Sequence, residues 1–210
     1  MLGIQNLSLF LISCILLNLT PGQDTIYIVG RSVAQGRKAG MVSAFGIMSG
    51  VLVHTLLAAL GLSMILATSA LAFSIVKYIG AGYLIWIGIG FIRNKTHPAQ
   101  MEVNGKIPTN LWKTYRQGML TNLLNPKVAL FFLSFLPQFV RPQTEFMFGS
   151  FMALGMIFFT TGGIWCMVLV HGSSWLTSKF RSSTKMGGML KKVTGTVFVG
   201  LGIKLALSHE

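Results

Sequence analysis

The chain has 210 residues, 52% of them hydrophobic and 10% charged, with a mean hydropathy of +0.67. Soluble domains carry about 25% charged residues, so this composition excludes an ordinary water-soluble fold and describes an integral membrane protein. The net charge of +13 does not make it a nucleic-acid binder, because the basic residues gather in particular loops, as orientation signals do.

Apolar segments of about 20 residues are long enough to span a bilayer as helices, and six can be placed along the chain. The first covers about Asn6–Gly30 and is read as a retained span, since it lacks a basic n-region and a good cleavage site. It is broken at Asn18-Leu19-Thr20-Pro21-Gly22-Gln23-Asp24. Proline blocks a helix bond, glycine adds freedom, and a carboxylate at that depth costs about 2.5–3.5 kcal/mol. Such a stretch is expected to be a site. Thr20 is read as an N-cap, Pro21 as the first helical position and Gln23 as the back-bonding residue of a capping box. A short loop follows with Arg31, Arg37 and Lys38.

The second span, about Gly40–Ala67, carries Gly46-x-x-x-Gly50, a spacing that allows close helix contact within the protomer or in a homodimer. His54 reads as a packed or hydrogen-bonded histidine, with cavity lining or proton handling as the sharper alternative. Thr68-Ser69-Ala70 makes an uncharged turn into the third span, about Leu71–Ile92, where Lys77 is expected to snorkel. A polar connection over about 93–117 holds Arg93, Lys95, Lys106, Lys113 and Arg116. Trp112 and Tyr115 sit where an interfacial belt is expected.

The fourth span, about Gly118–Val140, is interrupted at Asn122-Leu123-Leu124-Asn125-Pro126-Lys127. The fifth is about Phe146–Gly172, with Thr160-Thr161-Gly162-Gly163 midway. The sixth is about Val193–Leu207, preceded by Lys179, Arg181, Lys185, Lys191 and Lys192. The loops after spans two and four carry only Arg141, so the positive-inside rule puts both termini outside. Five spans and an inside N-terminus follow instead if the first broken segment does not cross.

Pro21 and Pro126 are 105 residues apart (126 − 21), half of the 210-residue chain. Each breaks the first span of a three-span half. The expected fold is therefore all-α, with six transmembrane helices arranged as two inverted three-helix repeats. Repeat one covers about 1–92, a cytoplasmic loop about 93–117, and repeat two about 118–210. Inverted repeats with paired broken helices are a transporter architecture, with substrate held near the midplane where the breaks meet.

The charges at the breaks suggest the cargo. Asn125 suits an N-cap and Pro126 the first helical position, so the second break is also a restart. Helix N-termini favour anions. Lys127 adds a positive charge there, while Asp24 suits an ammonium or a proton. A zwitterion fits this pair better than a sugar does. Asp24 is expected to bind the substrate amine or the proton, and Asn125 and Lys127 to handle the carboxylate, with Pro21, Gly22 and Pro126 shaping the breaks. Thr20, Asn122, Asn18, Thr121 and Gln23 are further candidates. A structural Asp24–Lys127 ion pair stapling the halves is the alternative.

Pro21-Gly22-Gln23-Asp24-Thr25, the run from Ala34 to Gly40, Gly46 with Gly50, the run from Tyr78 to Leu84, and the run from Leu120 to Lys127 together resemble the LysE/RhtB family of amino-acid exporters. The resemblance covers nearly the whole chain. Its pattern commonly has proline where this chain has Gln23, a departure that bears on substrate choice. The resemblance implies export of amino acids or close relatives (threonine, homoserine, homoserine lactone, leucine, lysine or arginine). Protons or the membrane potential would drive it across a bacterial inner membrane. Export rather than import comes from the resemblance alone.

It implies no enzyme activity and no cofactor. The alternatives are a heavy-metal cation exporter of the same superfamily, a membrane thiol-redox enzyme and a non-transporting scaffold. Soft metals want thiolate or imidazole ligands, and Cys14, Cys166, His54 and His171 are scattered in sequence. A redox enzyme would need paired cysteines. A scaffold would need Asp24 and Lys127 only for stability.

Overall fold

A computed structural model describes residues 2–62, 110–141 and 144–173, with isolated positions in 75–93 and 196–206. Among the described residues every named element is helical, and the sole β contact is an isolated bridge between Ile4 and Val140. The expected turn at Thr68-Ser69-Ala70 lies outside the described residues, as do most of spans three and six and the basic loop before span six. So do Lys77, Gly80, Gly88, Gly90, Gly195, Gly202 and Lys204.

Helices α1 (Leu7–Leu19) and α2 (Gln23–Gln35) meet at a 49° bend. Thr20 closes α1. Its N–H donates to Leu16 O at 3.1 Å and its hydroxyl to the same carbonyl at 2.7 Å. Pro21 has no N–H to continue the ladder. Gly22, extended at φ −146°, is the N-cap of α2. Thr20 is thus a C-cap, correcting the sequence reading. The extended backbone that opens α2 falls two residues later, at Gly22, which takes the N-cap position instead. No side-chain cap forms at Gly22, and Gln23 is exposed as the first residue of α2.

α2 runs through Arg31, so the expected loop there shrinks to one residue, Gly36. Its φ of +86° and ψ of 171° belong to a region that is essentially glycine-only. A Cβ at Gly36 would meet nothing within 4 Å, which isolates backbone strain as the cost of a substitution. Gly36→Ala is expected to destabilise the protein by about 1–3 kcal/mol, read as a lower midpoint in detergent unfolding.

α3 (Arg37–Leu57) continues into a π turn at Ala58–Leu62. It packs most extensively on α4 (Leu111–Leu123), through glycines. A Cβ at Gly46 would collide with Tyr115 O and lie 3.0 Å from Met119 N. One at Gly118 would come 2.7 Å from Ser43 O. The Gly46/Gly50 pair therefore serves packing within the protomer. Both obstacles at Gly46 are backbone, which cannot swing aside, so Gly46→Ala must part the helices. Overpacking of this kind costs about 1–3 kcal/mol, and thermal unfolding would show the loss.

α4 starts at Leu111, earlier than expected. Asn110 caps it, its Oδ1 accepting from Lys113 N at 2.9 Å. Lys113 and Arg116 thus lie on a helix. Trp112 and Tyr115 stack at 5.4 Å, and Tyr115 donates to Ser49 Oγ at 2.8 Å. Near the same end, Arg31 donates to Gln117 Oε1 at 2.6 Å, and the Tyr27 hydroxyl donates to Thr114 O at 2.8 Å.

After the second break come α5 (Pro126–Leu130), a π turn (Phe131–Phe135) and a 3₁₀ turn (Leu136–Phe139). This second half is bent 47° from α4. Phe10, Phe131, Phe132, Phe135, Phe139 and Phe158 interlock here, with ring centroids 4.8–6.5 Å apart. They join α1, the α5 segment and α6 (Met147–His171) in one core. A second core joins α2, α3 and α6 around Ile28, Ile47 and Leu169.

Among the described residues two helices are long and apolar enough to cross a membrane, Arg37–Leu62 and Met147–His171, and up to four if each bent pair is one span. Their outward faces are apolar: Leu57 is 62% exposed and Ile164 63%. Exposed leucine and isoleucine in such numbers suit lipid rather than water.

Candidate functional site

A break inside a span strands backbone groups where no water can reach them. In this protein each break helps to satisfy the other. The end of α1 presents carbonyls at Leu17 and Thr20. Lys127 Nζ, from the start of α5, donates to them at 2.7 and 2.9 Å. A cation is the natural partner for a helix C-terminus. In return Asn122, at the end of α4, donates from Nδ2 to Asp24 Oδ2 on α2 at 2.8 Å. In place of the alternative reading, a direct Asp24–Lys127 ion pair, the two charges make separate links between the halves.

The second restart is as the sequence suggested. Asn125 is the N-cap, its Oδ1 accepting from Lys127 N at 3.1 Å, and Pro126 is the first helical residue. Its amides are already taken: Asn125 N donates to Asn122 O at 3.0 Å, and Val128 N and Ala129 N donate to Asn125 O. Asn122 O lies 3.3 Å from His54 Nε2. His54 also stacks on Phe132 at 5.6 Å and is buried. It is the packed, hydrogen-bonded histidine of the blander reading.

Beside these links lies a cavity of about 50 Å³, bounded by α1, α2, α3, α4, α5 and α6. That is well above the roughly 10–15 Å³ a cavity needs to hold a single water, so the space can admit a small polar group. Of the expected residues, Asn18, Gly22, Asp24, Asn122, Asn125 and Lys127 line it. Thr20, Pro21, Gln23, Thr121 and Pro126 do not. Thr121 bonds back to Gln117 O at 2.7 Å, and Pro126 is exposed. Asn18 Nδ2 reaches Thr161 Oγ1 on α6 at 3.4 Å. The rest of the wall is largely aliphatic, including Ile28, Ile47, Val51 and Leu169.

Three buried polar atoms have no hydrogen-bond partner among the described residues: Asp24 Oδ1, Asn122 Oδ1 and Trp165 Nε1. All three residues line this one cavity. Buried polar groups are nearly always paired, and each orphan costs about 1–3 kcal/mol. Two orphan acceptors and one orphan donor on residues around a common space suit a ligand that carries both donors and acceptors.

Trp165 was not among the expected residues. Its signal was a tryptophan in mid-span, where the interfacial belt does not explain it. Cys166 and Thr25 also line the cavity unforeseen. Cys14 and Cys166 are free thiols in separate cores.

A family model described as LysE type translocator matches residues 15–209. An uncharacterized membrane protein of Bacillus subtilis (strain 168), YrhP, is 32% identical over 195 residues, covering 90% of this chain and 92% of its own. A leucine efflux protein of Enterobacter sp. (strain 638) is 25% identical over 213 residues, covering 99% of this chain and 98% of its own. That of Klebsiella pneumoniae is 26% identical over 206 residues, covering 97% and 96%. No solved structure matches significantly. The match spans the two broken-helix segments and the cavity between them, so the chain belongs to the LysE type translocator family, membrane transporters rather than enzymes.

Proposed function

We propose that the protein exports amino acids or close derivatives across the bacterial inner membrane, with proton coupling. The observation that carries this reading is the Asp24–Asn122 pair on the cavity, in which Asp24 keeps an unpaired carboxylate oxygen and Asn122 an unpaired amide oxygen. An ammonium is all donor and suits such a site; a sugar presents no charge to Asp24. The aliphatic wall favours a branched apolar side chain, and relatives named leucine efflux proteins point the same way. Asp24 takes the substrate amine or the coupling proton. Asn125 and Lys127 stand at the same wall, where Lys127's first role is to close the end of α1.

The architecture proposed with this function is six spans in two inverted repeats, about 1–92 and 118–210, joined by a cytoplasmic loop. It is supported by two similar bends, 49° and 47°, at breaks half a chain apart. Alternating access then moves one repeat against the other around the breaks.

Efflux from preloaded proteoliposomes under an imposed proton gradient tests this reading. A panel of radiolabelled neutral and basic amino acids serves as cargo. Gradient-stimulated movement of leucine or a few neighbours is the expected result. A protein that moves none of the panel overturns it.

A further inference from the structure

We propose that Trp165 binds the substrate carboxylate through its indole N–H, opposite the ammonium site at Asp24 and Asn122. The inference rests on the amino-acid reading above and deepens it. An indole nitrogen donates one hydrogen bond and accepts none, so its partner must be an acceptor. Trp165 Nε1 is buried and has no such partner among the described residues, although its residue lines the cavity.

The obvious anion ligand, Lys127, is largely committed to the end of α1. Lys127 spends two of its three N–H bonds on Leu17 O and Thr20 O. The amides of the second restart are equally committed to Asn122 O, Asn125 O and Asn125 Oδ1. Among the three orphan atoms, Trp165 Nε1 is the one donor. It stands on α6, whereas Asp24 and Asn122 stand on α2 and α4. A zwitterion held by its two ends would therefore bridge α6 to the paired breaks. An amine without a carboxylate would leave the indole unpaired, and that gives the site a means of rejecting it.

Competition against radiolabelled leucine, bound to the purified full chain, decides the matter. The competitors are leucine, leucinamide and 3-methylbutylamine. In the native protein, leucine is expected to compete about tenfold to hundredfold better than the amine, the worth of one hydrogen bond to a charged group. Leucinamide, with a neutral carbonyl, should fall between them. Trp165→Phe keeps the ring and removes the N–H, so the leucine-to-amine ratio should collapse while the amine's own affinity holds.

An unchanged ratio in Trp165→Phe overturns the assignment to Trp165, as does a native protein in which leucinamide equals leucine. A native protein that binds no amino acid of the panel overturns the amino-acid reading itself. The second measurement keeps the indole at position 165 and so does not depend on Trp165→Phe folding. It uses 5-fluorotryptophan at position 165, the other tryptophans being replaced by phenylalanine. Its fluorine resonance should shift with leucine and not with 3-methylbutylamine. Equal shifts with both, or none with leucine, overturn the proposal.

Discussion

Replacing Asp24 with Asn is expected to lower gradient-driven efflux by about a hundredfold while the protein still folds. Asp24 Oδ2 accepts a hydrogen bond from Asn122 Nδ2 at 2.8 Å. Asparagine keeps an oxygen that can accept the same bond, so the link between α2 and α4 stands. The negative charge is lost. A hydrogen bond to a charged group contributes about 1.5–3 kcal/mol, or about tenfold to hundredfold in affinity. If the same carboxylate carries the coupling proton, stimulation by the gradient disappears as well. Proteoliposome efflux with and without a gradient separates the two losses. Efflux equal to the native rate in a folded Asp24→Asn protein would remove Asp24 from the mechanism and leave the transporter assignment standing.

Lys127→Met is expected to act first on stability. The substitution keeps an apolar stem of similar length and deletes the ammonium. Leu17 O and Thr20 O then lose the donor that reaches them at 2.7 and 2.9 Å. Each unpaired buried carbonyl costs about 1–3 kcal/mol, so the pair should cost about 2–6 kcal/mol. For a chain of this size that corresponds to roughly 2–4 °C of melting temperature per kcal/mol. Thermal unfolding in detergent reads it directly. Lys127→Arg supplies other donors in place of the ammonium and should recover part of the stability. A Lys127→Met protein with an unchanged midpoint but weakened leucine binding would give the ammonium to the substrate instead. Lys127 would then rival Trp165 as the carboxylate ligand.

The two effects differ in kind because the charges at the breaks answer different needs. Asp24 has one oxygen committed and one orphaned, so part of it is available to a ligand. Lys127 has its charge turned onto the backbone of the other half. A site built at paired helix breaks must first satisfy its own stranded carbonyls and amides. What is left over is the ligand's share.

From the sequence alone, composition and apolar segment length determined that this is a helical membrane protein, because continuous apolar runs of about 20 residues match a spanning helix and not the short alternating strands of a barrel. Pro21 and Pro126 located the breaks, because proline removes a donor wherever it stands. Asn125 and Pro126 announced their own helix start for the same local reason. Only the tertiary structure decided the rest. Thr20 was open to capping either neighbouring helix, and the choice fell to the carbonyl of Leu16, one turn back. Gly46 and Gly50 carry no signal that distinguishes a partner protomer from α4, until a Cβ is placed against Tyr115 and Asn122. Lys127 and Asp24 look like a pair by charge. Their actual partners, Leu17 and Thr20 for one and Asn122 for the other, are set by where helix ends strand their backbone groups. Trp165 entered the site for a reason invisible to spacing: its N–H is buried beside that cavity with no acceptor among the described residues.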